Sequence, residues 1–303
     1  MHSCEYSVGS NDEIVHKLSD PILTIYNNEK IEDKLNVITV HINPCHFKRR
    51  KFLSEQFRDQ MQKTKDVELF IVELAYDDDA FEITDKNNKN HLQLRTERKN
   101  LLWSKESCIN IGIQELLPSD YKAFAWIDAD VEFDSATWAS DTLKLLNGKY
   151  DILEMFNVCL DMDKDKNTMT CFHSLAYQYV TKQKYYRSST NFSHSGYAWA
   201  VTRKFYENSM KNILDFEILG SGDYKLCMCL FNYDNLSYSN EHKKLLDDYR
   251  NNIKYARIGT YHVLLFIIST VIKKTEDMIP VMIAWFVINL IQKLCYANTV
   301  KIY

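Results

Sequence analysis

The chain has 303 residues, enough for one large domain or two small ones, and at 46% apolar it can bury a substantial core. A net charge of −4 gives no electrostatic basis for a nucleic-acid partner. Eight cysteines (Cys4, Cys45, Cys108, Cys159, Cys171, Cys227, Cys229 and Cys295) are scattered without a C-x-x-C pair, which argues against a zinc site or disulfide framework and for a reducing, cytoplasmic compartment.

Residues 1–34 are mixed and polar and are expected to form a loosely attached arm with a short helix near Glu13–Leu18. Met1–Glu13 lacks the apolar segment of a secretory signal, so a lumenal location is not expected. Leu35–Ile42, rich in β-branched residues, reads as the first strand, ended by Asn43-Pro44. Phe47–Lys63 has helical apolar spacing, with Arg49, Arg50, Lys51 and Arg58 between; Arg50 either reaches a phosphate or joins a solvated basic face. Glu68–Glu73 is the second strand, and the strand–helix–strand order implies a parallel pair with a right-handed crossover. Asp77–Asp79 reads as a solvated turn, Phe81–Thr84 as a short strand and Asp85–His91 as a polar loop.

A helix is predicted over Arg98–Leu117, with Leu101, Leu102, Ile109, Ile113, Leu116 and Leu117 on its core face. Its start, with Arg95 and Lys105 nearby, suits a diphosphate or sugar. The competing reading leaves Lys105 and Glu106 exposed and buries Trp103. A helix over Asp134–Asn147, stopped by Gly148, and a strand over Tyr150–Asn157 follow. Asp161, Asp163 and Asp165 alternate as in a calcium loop, but the glycine and terminal glutamate such a loop needs are missing, so a solvated loop is expected.

The stretch around which the chain is organised is Phe124-Ala125-Trp126-Ile127-Asp128-Ala129-Asp130. It is a third apolar strand running into two acids. If the strand continued, Asp128 and Asp130 would share a face. Two carboxylates ~4 Å apart at an effective dielectric near 20 repel by about 4 kcal/mol. A divalent cation relieves that repulsion, and hard oxygen ligands suit Mg or Mn. The alternative is a strand end with an acidic turn. The apolar lead-in favours a site, because open α/β sheets take ligands at the carboxyl ends of their strands.

Further on, Gly196 permits close backbone approach and Trp199 offers a flat apolar face for a sugar ring, unless Trp199 is core. Asp223 follows the turn Gly220-Ser221-Gly222, where it can act as a general base, as a helix N-cap for Tyr224–Phe231, or as both.

Trp126-Ile127-Asp128-Ala129-Asp130-Val131-Glu132-Phe133 resembles the D-x-D segment of glycosyltransferases of the GT-A fold. Leu101-Leu102-Trp103-Ser104-Lys105-Glu106, with Asn110, Leu117 and Pro118, is similar to a branch of that family found in bacteria and large DNA viruses. Gly196-Tyr197-Ala198-Trp199-Ala200 resembles its acceptor-side G-x-A-W-A segment. The likeness runs from about Asn36 to Gly259.

The resemblance implies an α/β, Rossmann-like fold with a mostly parallel central sheet and flanking helices. It implies Mn or Mg held by Asp128 and Asp130, the metal holding the diphosphate of a nucleotide sugar. Asn43 would contact the nucleotide, and residues around the Lys105 helix the donor. Asp223 would sit near the acceptor hydroxyl, as the base of an inverting enzyme. The implied activity is transfer of a hexose to a hydroxyl of a glycan or protein. A nucleotidyltransferase, or a catalytically inactive nucleotide-binding or membrane-attached interaction protein, are the other readings.

The tail departs from the pattern. Tyr261–Ile272 and Met278–Ile291 are apolar runs separated by Lys273–Asp277. Neither reaches the ~20 residues a spanning helix needs, so interfacial attachment is expected over spanning. The family would continue past Gly259 with a turn, then H-x-x-H-G and N-R-x-Y, and those histidines are missing. Shifted so that each triplet takes the third base of one codon and two of the next, the codons of Gly259–His262 can spell Y-I-P. In the same frame Leu265–Val271 can spell F-H-Y-F-H-G, Val271–Met278 N-K-K-N-R-R-Y and Asn289–Gln292 F-D-P. A one-base deletion after the Gly259 codon would account for both apolar runs. Resequencing the gene is expected to find third bases that spell H-x-x-H-G, and restoring a T there should raise transfer activity. Third bases that spell something else would make the apolar tail genuine.

Overall fold

The computed structural model describes residues 29–181, 193–233, 239–261 and 264–268. The expected helix near Glu13–Leu18, Cys4, Cys295, and the apolar and shifted-frame segments beyond Ile268 lie outside them. The chain is α/β, as the sequence implies. β1 (Leu35–Ile42), α1 (Lys48–Lys63) and β2 (Val67–Tyr76) form the expected parallel crossover unit. β3 (His91–Thr96) extends the sheet beside β2. After α2 (Lys105–Leu116), β4 (Ala123–Ile127) enters on the other side of β1, also parallel. β5 (Val131–Phe133) and α3 (Trp138–Leu146) follow, then β6 (Ile152–Glu154), β7 (Val158–Met162), β8 (Thr168–His173) and α4 (Leu175–Val180).

β9 (Ala198–Thr202) runs antiparallel between β4 and β6. A short turn of helix, α5 (Arg203–Phe205), leads into the π-helical turn Tyr206–Met210. α6 (Gly222–Leu230), α7 (Asn240–Ile253), β10 (Ile258–Thr260) and β11 (Leu264–Ile268) complete the described chain. The large sheet has the order β10-β6-β9-β4-β1-β2-β3, and a small sheet the order β5-β11-β7-β8. Every strand of the large sheet except β9 is therefore parallel, which brings six carboxyl ends to one edge.

Both faces of the large sheet are covered, which is why its strands read as nearly continuous apolar runs. Alternate residues of β1 and β4 feed two separate cores. Ile38, Phe124 and Trp126 pack with α2, α6 and α7 on one face. Leu35, Val37, Ala125 and Ile127 pack with α1, α3 and the small sheet on the other. β11 belongs to this second layer: Leu265 and Ile267 are buried, paired parallel with β7 and antiparallel with β5. Among the described residues no helix is long and apolar enough to cross a membrane. The six cysteines of the described residues are all free.

Several local expectations are overturned. Phe81–Thr84 is not a strand: the buried Glu73 carboxylate accepts the backbone N–H groups of Glu82, Ile83 and Thr84 and wraps this loop around itself. The strand lies instead at His91–Thr96, partly exposed along its length at the sheet's edge, so its pattern is weak. The helix predicted from Arg98 begins only at Lys105. Arg98 is tied to Asp77 and Asp79, and the Trp103 N–H donates to the Ile218 carbonyl at 2.9 Å, which draws the segment off the helix axis. Leu101 and Leu102 are consequently exposed instead of core. The strand expected over Tyr150–Asn157 is shortened to β6, and β7 begins only after it.

Gly112 marks the closest approach of α2 to the sheet, because a Cβ there would lie 2.6 Å from Val72 Cγ2. Valine is stiff at χ1 and cannot step aside. Gly112→Ala gains ~1 kcal/mol of helix propensity but overpacks this contact. A net loss of about 1–2 kcal/mol is expected in urea denaturation, and a more stable variant would contradict the packing described.

Candidate functional site

β4 ends at Ile127, and the chain then turns through Asp128, Ala129 and Asp130 before resuming as β5. The two acids therefore sit in a turn and not on a continuing strand, so alternation does not set their arrangement. The turn is fixed from outside: the Asp128 N–H donates to the Tyr197 carbonyl at 2.8 Å, with Tyr197 at φ 74°.

Lys105, the first residue of α2, reaches into this turn. Its Nζ lies 2.6 Å from Asp128 Oδ1 and 3.7 Å from Asp223 Oδ2. The lysine side chain is 17% exposed, and the two acids are 31% and 23% exposed. Asp223 is in the first turn of α6, two residues past the cap. The N-cap is Ser221, held at φ 70°. Glu106, next to Lys105, is buried against Gly222: a Cβ on that glycine would lie 2.6 Å from Glu106 Oε1. Gly196 plays the same part for Asp223, since a Cβ there would come within 3.0 Å of Asp223 Oδ2 and of His194 Cε1. The close approach expected at Gly196 is thus to protein side chains.

Lysine is outnumbered in this cluster. Burial, then the charge of Asp128, holds the Asp130 carboxyl above the usual range. Burial raises Asp223 too, with Lys105 opposing and Asp128 adding to the rise. Burial and then Asp223 push Glu106 up to about 7. Burial opposes the Lys105 charge, but Asp128 and Asp223 outweigh it and hold its pKa above the ordinary value. Glu154, the last residue of β6, is wholly buried and raised well above the carboxylate range by burial; its Oε2 accepts the Ala176 N–H at 2.6 Å. Burial lowers His194 to about 4, so its imidazole is neutral near pH 7. Its Nδ1 accepts the Gly196 N–H, and its ring stacks on Tyr197 at 3.8 Å.

Other sequence-derived candidates fall elsewhere. Trp199 is fully buried, stacked on Trp126 with ring centroids 6.2 Å apart, and its Nε1 donates to the Ser195 carbonyl. It is core and offers no face to a sugar. The exposed indole is Trp103, 47% exposed, two residues before Lys105. The alternative that buried Trp103 and exposed Glu106 is thus inverted. Asn43 donates to Glu82 at 2.8 Å and accepts the Phe47 N–H at 2.9 Å, which closes the turn after β1. The Arg95 guanidinium donates to the Asp77 and Asp79 carbonyls and covers the Phe81 ring. No ion pair joins it to the Lys105 cluster among the described residues. Arg50 donates to the Ile42 carbonyl, and its charge is felt at Asp130. Asp163 caps its own turn by accepting the N–H groups of Asp165 and Asn167.

Among the described residues no group of three or more His, Cys, Asp or Glu side chains is arranged to hold a metal ion. Asp128 and Asp130 are two hard-oxygen donors, and among the described residues no other side chain donates to Asp130. Such a pair suits Mg or Mn in one specific way. These ions are commonly held by one or two carboxylates together with substrate phosphates and water, and not by an all-protein cage.

No protein-family model matches the chain, and no curated protein matches it. Among solved structures it is similar to TarS 1–349 of S. aureus, at 10% identity and a TM-score of 0.39, over 78% of this chain and 60% of that one. It is also similar to the mannosyltransferase PcManGT of Pyrobaculum calidifontis in complex with GDP-Man and Mn2+, at 12% identity and a TM-score of 0.41, over 80% and 58% of the two chains. GalNAc-T7 with UDP, GalNAc and Mn2+ matches at 12% identity and a TM-score of 0.40, over 80% and 45%. The chain thus spans less than two thirds of each of these three structures.

The buried Glu106 gives a pH dependence of known sign. Its pKa is raised from 4.5 to about 7 on folding. Its contribution is fully favourable below the unfolded value and is lost as pH rises through about 7. The loss is at most ~3 kcal/mol. Glu106→Gln should therefore match the wild type at pH 4 and exceed its stability at pH 8, as read by denaturant midpoints. Equal curves at both pH values would show that Glu106 is not held protonated.

Proposed function

We propose that the chain is a metal-dependent glycosyltransferase that moves a sugar from a nucleotide-sugar donor to a hydroxyl acceptor. The observation that carries this is the Lys105 ammonium joined to Asp128 and Asp223 where the parallel strands end, the edge at which such sheets take ligands. A nucleotide sugar supplies a diphosphate for a cation and a leaving group for in-line displacement. An acceptor hydroxyl supplies a proton that a carboxylate must take. The cluster has one group for each demand.

Asp128 and Asp130 would hold Mn or Mg jointly with the diphosphate. The bound metal would neutralise the charge that grows on the departing nucleoside diphosphate. Lys105 adds a second positive charge beside Asp128. Asp223 takes the acceptor proton as the acceptor oxygen attacks the anomeric carbon and the bond to the diphosphate breaks. Its raised pKa brings it closer to working pH, which favours a general base. Neutral His194 and the buried acids around it supply a dry, polar wall. The exposed Trp103 indole takes the sugar-stacking role that the sequence assigned to Trp199. If the reading frame is restored after Gly259, the histidines it introduces are candidates for the additional metal ligand that the described residues lack.

Nucleoside diphosphate titrated with and without Mn2+ should bind more tightly with the metal in the wild type, and this gain should vanish in Asp130→Asn. Asp223→Asn should leave that affinity nearly intact and lower turnover by ~10²–10⁴. Trp103→Ala should raise KM with a smaller effect on kcat. Equal nucleotide affinity in all metal conditions and in Asp130→Asn would refute the metal role. Binding without turnover across a panel of nucleotide sugars would favour an inactive nucleotide-binding protein.

A further inference from the structure

We infer that Lys105 is a built-in counter-cation that occupies Asp128 and Asp223 in the donor-free protein and must release Asp128 before a divalent cation can be held there. The inference rests on the metal–diphosphate reading above. It adds a competition internal to the chain.

Three observations carry it. First, the contact to Asp128 is short, 2.6 Å, and the same nitrogen lies 3.7 Å from Asp223, so a single ammonium serves both acids. Among the described residues no other cation forms an ion pair with either acid. Second, the lysine is presented from a built position. It opens α2, with Trp103 hydrogen-bonded to Ile218 on one side and Glu106 packed on Gly222 on the other. The residues on both sides of it are therefore fixed. Third, the donor set for a metal is small, and one of its oxygens, Asp128 Oδ1, is already taken by the ammonium.

The order of events follows from the position of the ammonium: a divalent cation added to Asp128 with the lysine still in place would face a like charge a few ångströms away. That repulsion scales with the product of the charges, so a divalent ion meets twice what a monovalent one would at the same separation. A nucleoside diphosphate removes the conflict by giving the ammonium a new anionic partner. Metal and nucleotide should consequently bind as a pair, each weak without the other, with Lys105 passing from Asp128 to the phosphate. This coupling is reciprocal, as any linkage between two ligands must be.

The test uses Mn2+ alone, followed by electron paramagnetic resonance, then Mn2+ with uridine or guanosine diphosphate. Lys105→Met should bind Mn2+ without nucleotide at least tenfold more tightly than the wild type, and the enhancement by diphosphate should shrink by a similar factor. Lys105→Arg keeps the charge and should stay as weak as the wild type. In the wild type, labelling of Lys105 by an amine-reactive ester, read by mass spectrometry, should increase at Mn2+ concentrations that electron paramagnetic resonance shows to fill the site; this measurement needs no variant and holds if Lys105→Met does not fold. Unchanged or weaker Mn2+ binding by folded Lys105→Met, or labelling insensitive to Mn2+ once the site is filled, would overturn the inference. If Mn2+ binds through Asp128 in the presence of diphosphate, yet Lys105→Met does not tighten it, only the lysine competition falls. If Asp128→Asn leaves Mn2+ binding unchanged in every background, the metal reading falls and the inference with it.

Discussion

The structure of the site depends on one ion triad. Lys105, Asp128 and Asp223 come from three elements that approach from different directions: the start of α2, the turn after β4 and the first turn of α6. Drawing them together partly desolvates three charges, which is unfavourable unless each finds its partner. The surrounding sequence is adapted to that convergence. Of only seven glycines in the chain, Gly196 and Gly222 lie where a side chain would collide with Asp223 or Glu106. Larger residues there would hold α6 away from β9 or from α2 and leave the lysine and its acids facing water.

Around the triad, burial favours the uncharged forms of the acids. Glu106, Asp130, Asp223 and Glu154 are all shifted toward their neutral forms, chiefly by burial. His194 is shifted the same way, toward its uncharged form. The cluster therefore resembles a charge reservoir kept below capacity. It contains more acid than one lysine can compensate, and it accommodates the excess by not ionising fully.

How much of this was legible in the sequence follows from what each signal measures. β1, α1, β2 and β4 were legible because they are buried on well-defined faces, and burial imposes an apolar period. Asp128 and Asp130 stood out because acids at the end of an apolar strand are unusual. The start of α2 was misplaced because its true boundary is set by contacts to distant residues, Trp103 donating to the Ile218 carbonyl and Arg98 to the carboxylates of Asp77 and Asp79. Trp199 is buried and Trp103 exposed, which hydropathy could not foresee, because it cannot say which of two tryptophans faces Trp126. Glu154 went unremarked, although a lone acid inside Ile152-Leu153-Glu154-Met155-Phe156 is the kind of local contradiction that marks a buried titratable group.

The small sheet has a consequence for the order in which the protein is made. β5 leaves the acid turn directly, yet among its sheet partners the one it pairs with is β11, more than a hundred residues later in the chain. On the ribosome, β1 to β4 can assemble long before β11 has emerged. During that interval the β5 side of the turn that holds Asp128 and Asp130 has no sheet partner. Contacts of such long sequence separation form late and slowly. The acids are thus synthesised early but acquire their final setting almost last, so a nascent chain interrupted after β10 would carry the residues of the site without the strand that buttresses them.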